Sequence, residues 1–586
     1  MTDGMDTPRS QAWKNLLPLL LVCVSLGAMF GPTWVTYLER AADPFRFSDD
    51  VRSYLLPAWR FVDPELFPGA ADVDYIQWLS PLGYQGIYAL GAHWLDPVTF
   101  GKLLGGVMFL AGMAVIGLAA GLMSGWAGAW FAMALMLSSW GPELSGMPRN
   151  LSIPLLALAV VALLRGRVYL LAAMVLIAAL FYPPVAVMIS GMLFLWLMVW
   201  PARDRGEARE WSFKKRVLLL VVTALLTFLL EGKQWFGARN YGPILTAAYC
   251  DAYPEIGPEG RLGNVNVCQP SDTFLSILTD TTQWTLTDGR RGEPWLYAPR
   301  VLGKWTLAKA GIDRDALLVN LLLLLLLAGY LAHLARDTLG RRLLILPMVG
   351  VLGFLAAQPF APQFYYPLRY LEKTIPIFLM VGLPAAVSAL ASLPARWRAG
   401  PAWGHPWVRP GGVLIVACVV LLVLGGRGKS KGGIDKDHRF AAPLMHHLHS
   451  LPKDVVIAGW PRGIVASVPL LAQRSVFVNE ETHWPLHKHF TDTMRTRALA
   501  LIEGYLATTP GPLIALRERF GVTHMIVDRN LFAKGSFGLF APFQAFADKK
   551  KKEAEGQGYE ILRQIPHAQT FALANLVVLD MRRLQP

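Results

Sequence analysis

Asp49 and Asp50 stand side by side in PFRFSDDVRSYLLP, residues 44–57. A carboxylate with an open lone pair can take the proton of an attacking hydroxyl, and two together can hold a divalent cation. The complementary task, steadying negative charge on a departing group, needs fixed cations. Three basic residues qualify: Arg149 in GMPRN, and Arg369 and Lys373 in YYPLRYLEK. Arg369 is the first candidate for an oxyanion, because a planar guanidinium stays charged and grips two oxygens at once. Its competing role is an ion pair with Glu372 or a reach to lipid headgroups. Tyr365, Tyr366 and Tyr370 nearby can line a groove, although aromatic residues also gather at membrane interfaces. The aspartates have an ordinary reading too. Ser48 can cap a helix whose first turn carries both, where the dipole favours negative charge by about 0.3–1 kcal/mol. Adjacent helical residues point ~100° apart, so one aspartate would face the chemistry while its neighbour orients it or binds a cation.

The elements that must hold these groups are membrane elements. With 586 residues, 54% hydrophobic and 16% charged, the chain reads as a polytopic α-helical membrane protein. The formal charge of +14 comes without a basic stripe interleaved with aromatics, so it indicates membrane orientation and excludes a nucleic-acid partner. Apolar runs predict about eleven spans, near 15–36, 102–121, 127–141, 152–165, 168–182, 184–200, 217–231, 314–334, 343–359, 374–392 and 411–426. The first lacks a small-residue cleavage site and is taken as a retained span.

Alternation from a cytoplasmic N-terminus places the loops 201–216, 335–342 and 393–410 inside, and all three are basic. Loops 37–101 and 232–313 and the tail 427–586 then lie outside, and acidic residues outnumber basic ones in the first of them. Cys250 and Cys268 share the second exterior loop. An oxidising compartment would let them pair, which is worth about 3 kcal/mol for a loop of this size.

The tail changes character. Strand-like runs DVVIAGW, SVFVNE, THMIVD and LVVLDM alternate with helical stretches near 490–507 and 511–520, predicting a soluble α/β domain. GGRGKSKGGIDKDH, 425–438, reads as its linker, with a basic character unusual for an exterior segment. Residues 1–426 form the transmembrane domain and 427–586 the exterior one.

The segment SDDVRSYLLPAWRFVDPELFPG resembles the first exterior loop of bacterial members of the GT-C class of integral-membrane glycosyltransferases. The resemblance extends to the N-terminal span, the many short spans and the C-terminal exterior domain. DVVIAGWPRG, 454–463, is similar to the tryptophan motif of oligosaccharyltransferase catalytic subunits, lacking its second tryptophan, aspartate and tyrosine. The resemblance implies an inner-membrane enzyme with a periplasmic C-terminal domain. Such an enzyme moves a sugar from a polyprenyl phosphate or diphosphate to a glycan, lipid or protein acceptor. It implies Asp49 or Asp50 as general base and Arg369, with Arg149, Lys373 and Tyr370, as substrate contacts. Some members of the class use Mg or Mn and others do not, so Asp49 and Asp50 are also candidate metal ligands.

Other chemistries lack their motifs: the chain has no GxxxxGK[ST] loop, no GxSxG elbow and no HExxH helix. Six histidines crowd the tail in HHLH and THWPLHKH, without a cysteine or carboxylate spacing that specifies zinc. Lys549–Lys552 read as a solvated helix face. Two rival functions use the same charges: a transporter or flippase of a lipid-linked saccharide, and a noncatalytic assembly subunit.

Overall fold

The structure, a computed structural model, describes residues 31, 34–139, 145–199, 210–263, 267–268, 287–288, 293–294, 337–361, 363, 366–391, 434–533 and 536–585. The first loop opens with a two-residue strand, β1 (Arg46–Phe47), a short helix Val51–Tyr54, and then α1 (Ala71–Leu79) and α2 (Leu82–Gly91). Seven apolar elements follow: α3 (Pro97–Ser139), α4 (Ser152–Leu164), α5 (Val168–Phe181), α6 (Pro183–Met198), α7 (Phe213–Tyr241), α8 (Thr338–Ala357) and α9 (Pro367–Ala391). Helix α3 turns at Gly125, whose φ of 73° is left-handed and suits glycine. Its two arms lie against each other through glycines. A Cβ on Gly117 would fall 2.9 Å from Met133 Cγ, and one on Gly121 would touch Ala129 at 3.4 Å.

Eight of the expected spans, from 102–121 through 217–231 and then 343–359 and 374–392, fall on these helices. The expected spans 314–334 and 411–426, and most of 15–36, lie outside the described residues. Among the described residues, two runs are long and apolar enough to cross a membrane, Pro97–Met136 and Thr338–Ala357. Helices α4, α5 and α6 have 13, 14 and 16 residues. At 1.5 Å per residue they rise roughly 20–24 Å, less than the ~30 Å of bilayer hydrocarbon. Helix α7 exposes Leu218, Leu225 and Leu229, a stripe that suits lipid better than water.

Arg342 departs from its reading as a cytoplasmic loop charge. It is buried in α8 and its Nη1 donates to the Leu164 carbonyl at 2.7 Å, at the C-terminal end of α4, with the guanidinium over Trp196. A cation there satisfies an orphan carbonyl and complements the helix dipole.

The tail builds β2 (Lys436–Asp437), α10 (Ala442–His449), β3 (Val456–Gly459), β4 (Ser475–Val476), α11 (Lys488–Tyr505), α12 (Pro510–Phe520), β5 (His524–Asp528), α13 (Phe543–Glu553), β6 (Gln569–Leu573) and β7 (Leu576–Asp580). One five-stranded sheet runs β4-β3-β5-β7-β6, with β3 parallel to both β4 and β5, and β7 antiparallel to both β5 and β6. Successive side chains alternate between its faces. Ala458, Met525, Val527, Val577 and Leu579 meet Met494, Leu501 and Ile502 of α11 on one side. On the other, Ile457, Val476, Ile526 and Val578 meet Leu444, Met445 and Leu448 of α10. The end of the expected linker is not loose chain: β2 pairs antiparallel with β1, Phe47 opposite Lys436.

Three further contacts seat this domain on the helices. Tyr75 of α1, 0% exposed, stacks on Phe490 of α11 at 3.7 Å between ring centres, and its hydroxyl meets His487 Nδ1 at 2.8 Å. The second exterior loop docks through backbone bonds from Leu245 N to Leu486 O and from Lys488 N to Pro243 O. Its buried Glu255 pairs with Arg495, Nε to Oε1 2.6 Å. Cys250 and Cys268 are joined by a disulfide beside a small core of Leu245, Tyr253, Ile256, Leu262 and Val267.

Removing the Tyr75 ring opens a cavity in the join. Tyr75→Ala should cost about 3–5 kcal/mol and Tyr75→Phe about 1 kcal/mol, read as thermal midpoints in detergent.

Candidate active site

Asp49 and Asp50 lie in the turn after β1, where Val51 N reaches back to Ser48 O and Ser53 Oγ donates to Asp50 O at 2.9 Å. The following helix starts at Val51, Asp50 occupies its cap position without a side-chain cap bond, and no acidic residue sits in its first turn. The capping role expected for Ser48 and the pair is therefore not the one adopted. The carboxylates turn to cations instead.

Asp50 Oδ2 meets Arg149 Nη2 at 2.5 Å. Asp49 Oδ2 meets Lys436 Nζ at 3.0 Å, and its Oδ1 accepts from Arg52. Arg52 also reaches Glu481 Oε1 at 2.7 Å, and Glu481 in turn meets Arg261 at 3.4 Å. Four cations thus surround three carboxylates, leaving one positive charge in excess. Burial pushes the Asp49 carboxyl upward, but Arg52 and Lys436 outweigh it and hold it below the usual carboxylate range. Glu481 goes the other way, raised by burial despite Arg52 and Arg261. Nearby, His438 is lowered to about 4 by burial and by the same two cations that face Asp49, so it is neutral at pH 7.

Each cation is placed by a different piece of chain. Arg149 sits in the turn Pro148–Leu151, where Asn150 Oδ1 accepts from Met147 N and Ser145 Oγ. Gly146 makes the turn possible: φ is +68° and a Cβ would strike Gly101 O at 2.3 Å. Lys436 comes from β2, which β1 holds two residues before Asp49. His438 stacks on Phe47 with ring centres 5.1 Å apart, and Arg40 Nη1 donates to Ile434 O at 2.9 Å. Arg52 is buried, its side chain 7% exposed, whereas Asp50 is 38% exposed and Lys436 34%. The site is a half-open patch of alternating charge between helices and α/β domain.

Arg369 Nη1 meets Glu372 Oε2 at 2.9 Å on its own helix, the competing role the sequence offered, while the guanidinium groups of Arg149 and Arg52 meet Asp50 and Asp49. Tyr370 is 2% exposed, with α8 so near that a Cβ on Gly353 would stand 2.5 Å from its ring. Its ring packs two helices and does not face a groove. Lys373 is half-buried in α9, and Tyr366 packs against the disulfide-loop core. Tyr365 lies outside the described residues.

A divalent cation at Asp49 and Asp50 would have to displace these neighbouring cations. Among the described residues no group of three or more His, Cys, Asp or Glu side chains converges on a metal position. The six tail histidines disperse: His446 lies edge-on to Phe45, His447 stacks on Phe571, His449 Nδ1 meets Ala472 O, His483 lies edge-on to Phe540 and tilted against Phe543, His487 meets Tyr75, and His489 lies in α11. The donor set therefore does not fit Mg or Mn in this arrangement.

Arg52, Lys436, Glu481 and Arg261 are the site residues that sequence reasoning passed over. Arg52 was legible as an i,i+3 partner of Asp49. Lys436 left one trace, a basic residue on a segment expected outside the membrane. Glu481 and Arg261 left none.

No family model matches the sequence, and no curated protein is similar to it. Among solved structures the chain is similar to ArnT from Cupriavidus metallidurans, at 12% identity and a TM-score of 0.38, covering 96% of this chain and 99% of that one. One structure of that protein is bound to undecaprenyl phosphate. The chain is also similar to the oligosaccharyltransferase AglB of Archaeoglobus fulgidus, solved with an inhibitory peptide and a dolichol-phosphate, at 10% identity and a TM-score of 0.45, covering 89% of this chain and 70% of that one. Likenesses this remote leave the function to the residues of the site.

Because the folded Asp49 carboxyl is depressed, its ionised form stabilises the fold above the unfolded pKa of about 3.9, and that contribution is lost as pH falls through the lower folded value. Asp49→Asn should lower the thermal midpoint at pH 7, and the gap to the unmodified protein should close progressively below about pH 4.

Proposed function

We propose that this chain is a membrane glycosyltransferase that moves a sugar from a polyprenyl-phosphate or diphosphate donor to an acceptor hydroxyl on the periplasmic side of a bacterial inner membrane. The observation that carries the proposal is the meeting of Asp50 with Arg149 at 2.5 Å in a half-open site. Glycosyl transfer from a phosphate needs a base and an anion holder within one substrate's reach. The resemblance of the SDD segment to the first loop of GT-C enzymes supplies the substrate class.

In this mechanism Asp50 is the base. It has one cationic neighbour, against two for Asp49, and is the more exposed of the pair. The acceptor oxygen attacks the anomeric carbon, its proton passes to Asp50, and the bond from that carbon to the phosphate oxygen breaks with its electron pair leaving on the phosphate. The arriving substrates part the Asp50–Arg149 pair, freeing the carboxylate on the acceptor side and the guanidinium on the phosphate side, where Arg149 receives that charge; a guanidinium in a partly desolvated site stabilises it far better than water would. Direct displacement inverts the anomeric carbon. Asp49 and Arg52 position the turn and act through Asp50. Positive charge comes from arginine and lysine, and no step needs a metal.

The test supplies purified protein with labelled polyprenyl-phosphate sugars and a panel of acceptors. Asp50→Asn should lower labelled product by at least about a hundredfold, and Arg149→Ala by about a hundredfold. Arg369→Ala should lose much less, and EDTA should change nothing. Lipid movement without product would replace the proposal with a transporter, and full activity in Asp50→Asn would remove its base.

A further inference from the structure

Of the four cations at the site, Lys436 has the most accessible side chain, 34% exposed against 26% for Arg261, 15% for Arg149 and 7% for Arg52, and it is the accessible one that faces the acidic pair. Asp49 is already met by Arg52, which bonds its carboxylate and, through Nε at 3.2 Å, its main-chain carbonyl. Arg52 is also tied to Glu481 and buried. Withdrawing it would break two pairs at once in a partly buried setting, leaving Asp49 to Lys436 alone and Glu481 to Arg261 alone at 3.4 Å, which is costly. Withdrawing Lys436 strands none, since Asp49 keeps Arg52. A lysine is a point charge on a flexible four-carbon stem, so its ammonium can move several ångströms while its backbone stays in the ribbon. That backbone is well fixed: Lys436 opposes Phe47 in the β1–β2 pairing, His438 N donates to Phe45 O at 2.9 Å, and Asp437 is gripped by Arg46 and Arg439.

Resting on the glycosyltransferase reading above, we infer that Lys436 is a ligand of the donor phosphate, parked on Asp49 until the donor arrives and then shared with or surrendered to it. The site then holds the phosphate from two sides, Arg149 from the helical domain and Lys436 from the strand that leads into the α/β domain. The C-terminal domain thereby contributes a residue to the reaction centre, and the β1–β2 ribbon is the device that delivers it. The transfer is noncovalent and conserves charge: one ammonium leaves a carboxylate that remains paired and joins a phosphate that arrives unpaired.

The experiment titrates farnesyl phosphate into detergent-solubilised full-length protein by calorimetry, with inorganic phosphate as a second titrant to separate headgroup from lipid. Lys436→Ala should bind farnesyl phosphate about tenfold more weakly or worse, the scale of one charge-assisted hydrogen bond, and Lys436→Arg should stay within about threefold. Lys453→Ala removes the same charge from the α/β domain at a place where the lysine pairs with Asp63 and Glu65, and should bind as the unmodified protein does. Equal binding by Lys436→Ala and the unmodified protein overturns the inference, as does equal weakening in Lys436→Ala and Lys453→Ala, which would mean a general field. In both cases the transferase reading stands if Asp50→Asn still loses product. Absence of farnesyl phosphate binding in the unmodified protein would instead overturn the donor class, and this inference with it.

Discussion

The molecule is organised around an ion ladder at a domain join: Lys436 to Asp49, Asp49 to Arg52, Arg52 to Glu481, Glu481 to Arg261. Its members come from four separate stretches of chain. Partly buried pairs of this kind contribute little net stability, because desolvation offsets much of the attraction, but breaking one leaves an uncompensated charge. Their effect is positional. The ladder sets the first loop, the ribbon strand and the disulfide loop in one register, and Asp50 with Arg149 stands at its edge.

Apolar contacts do the holding that the ladder cannot. Tyr75 inserts from α1 into the core of the α/β domain, and the disulfide loop is clipped to α11 by Glu255, Tyr253 and two backbone bonds. With the domain fixed at these points, the charged patch need not supply cohesion. It can stay half open, as the proposed transfer from a lipid-borne donor to a water-borne acceptor would require. Tight packing around an open polar edge is a common arrangement where function needs exposed charge.

Much of this was legible in the sequence, and the omissions have physical causes. The apolar runs gave the helices because burial in lipid or core demands long runs, and THMIVD and LVVLDM became β5 and β7 because both are buried. β6, with the sequence QTFAL, was missed: it is an edge strand and mostly exposed, so no burial pattern marks it. Arg149, picked out by its residue type beside a turn, pairs with Asp50. Arg369 has the same type and meets Glu372 one turn on, the local ion pair that its i,i+3 spacing allows. Lys436 was hidden because ribbon pairing between residues almost four hundred positions apart leaves no local signal; its odd basic character was the only mark. Tyr370 reads as a groove residue because interfaces favour tyrosine, while Gly353 of α8 makes room for its ring.

The most direct test is a structure determined with a non-transferable polyprenyl-phosphonate sugar bound. The phosphonate should lie between Arg149 and Lys436, with Lys436 turned from Asp49 and Asp50 facing the anomeric carbon from the acceptor side. A phosphonate seated at Arg369 and Lys373, away from the acidic pair, would contradict the assignment of this site.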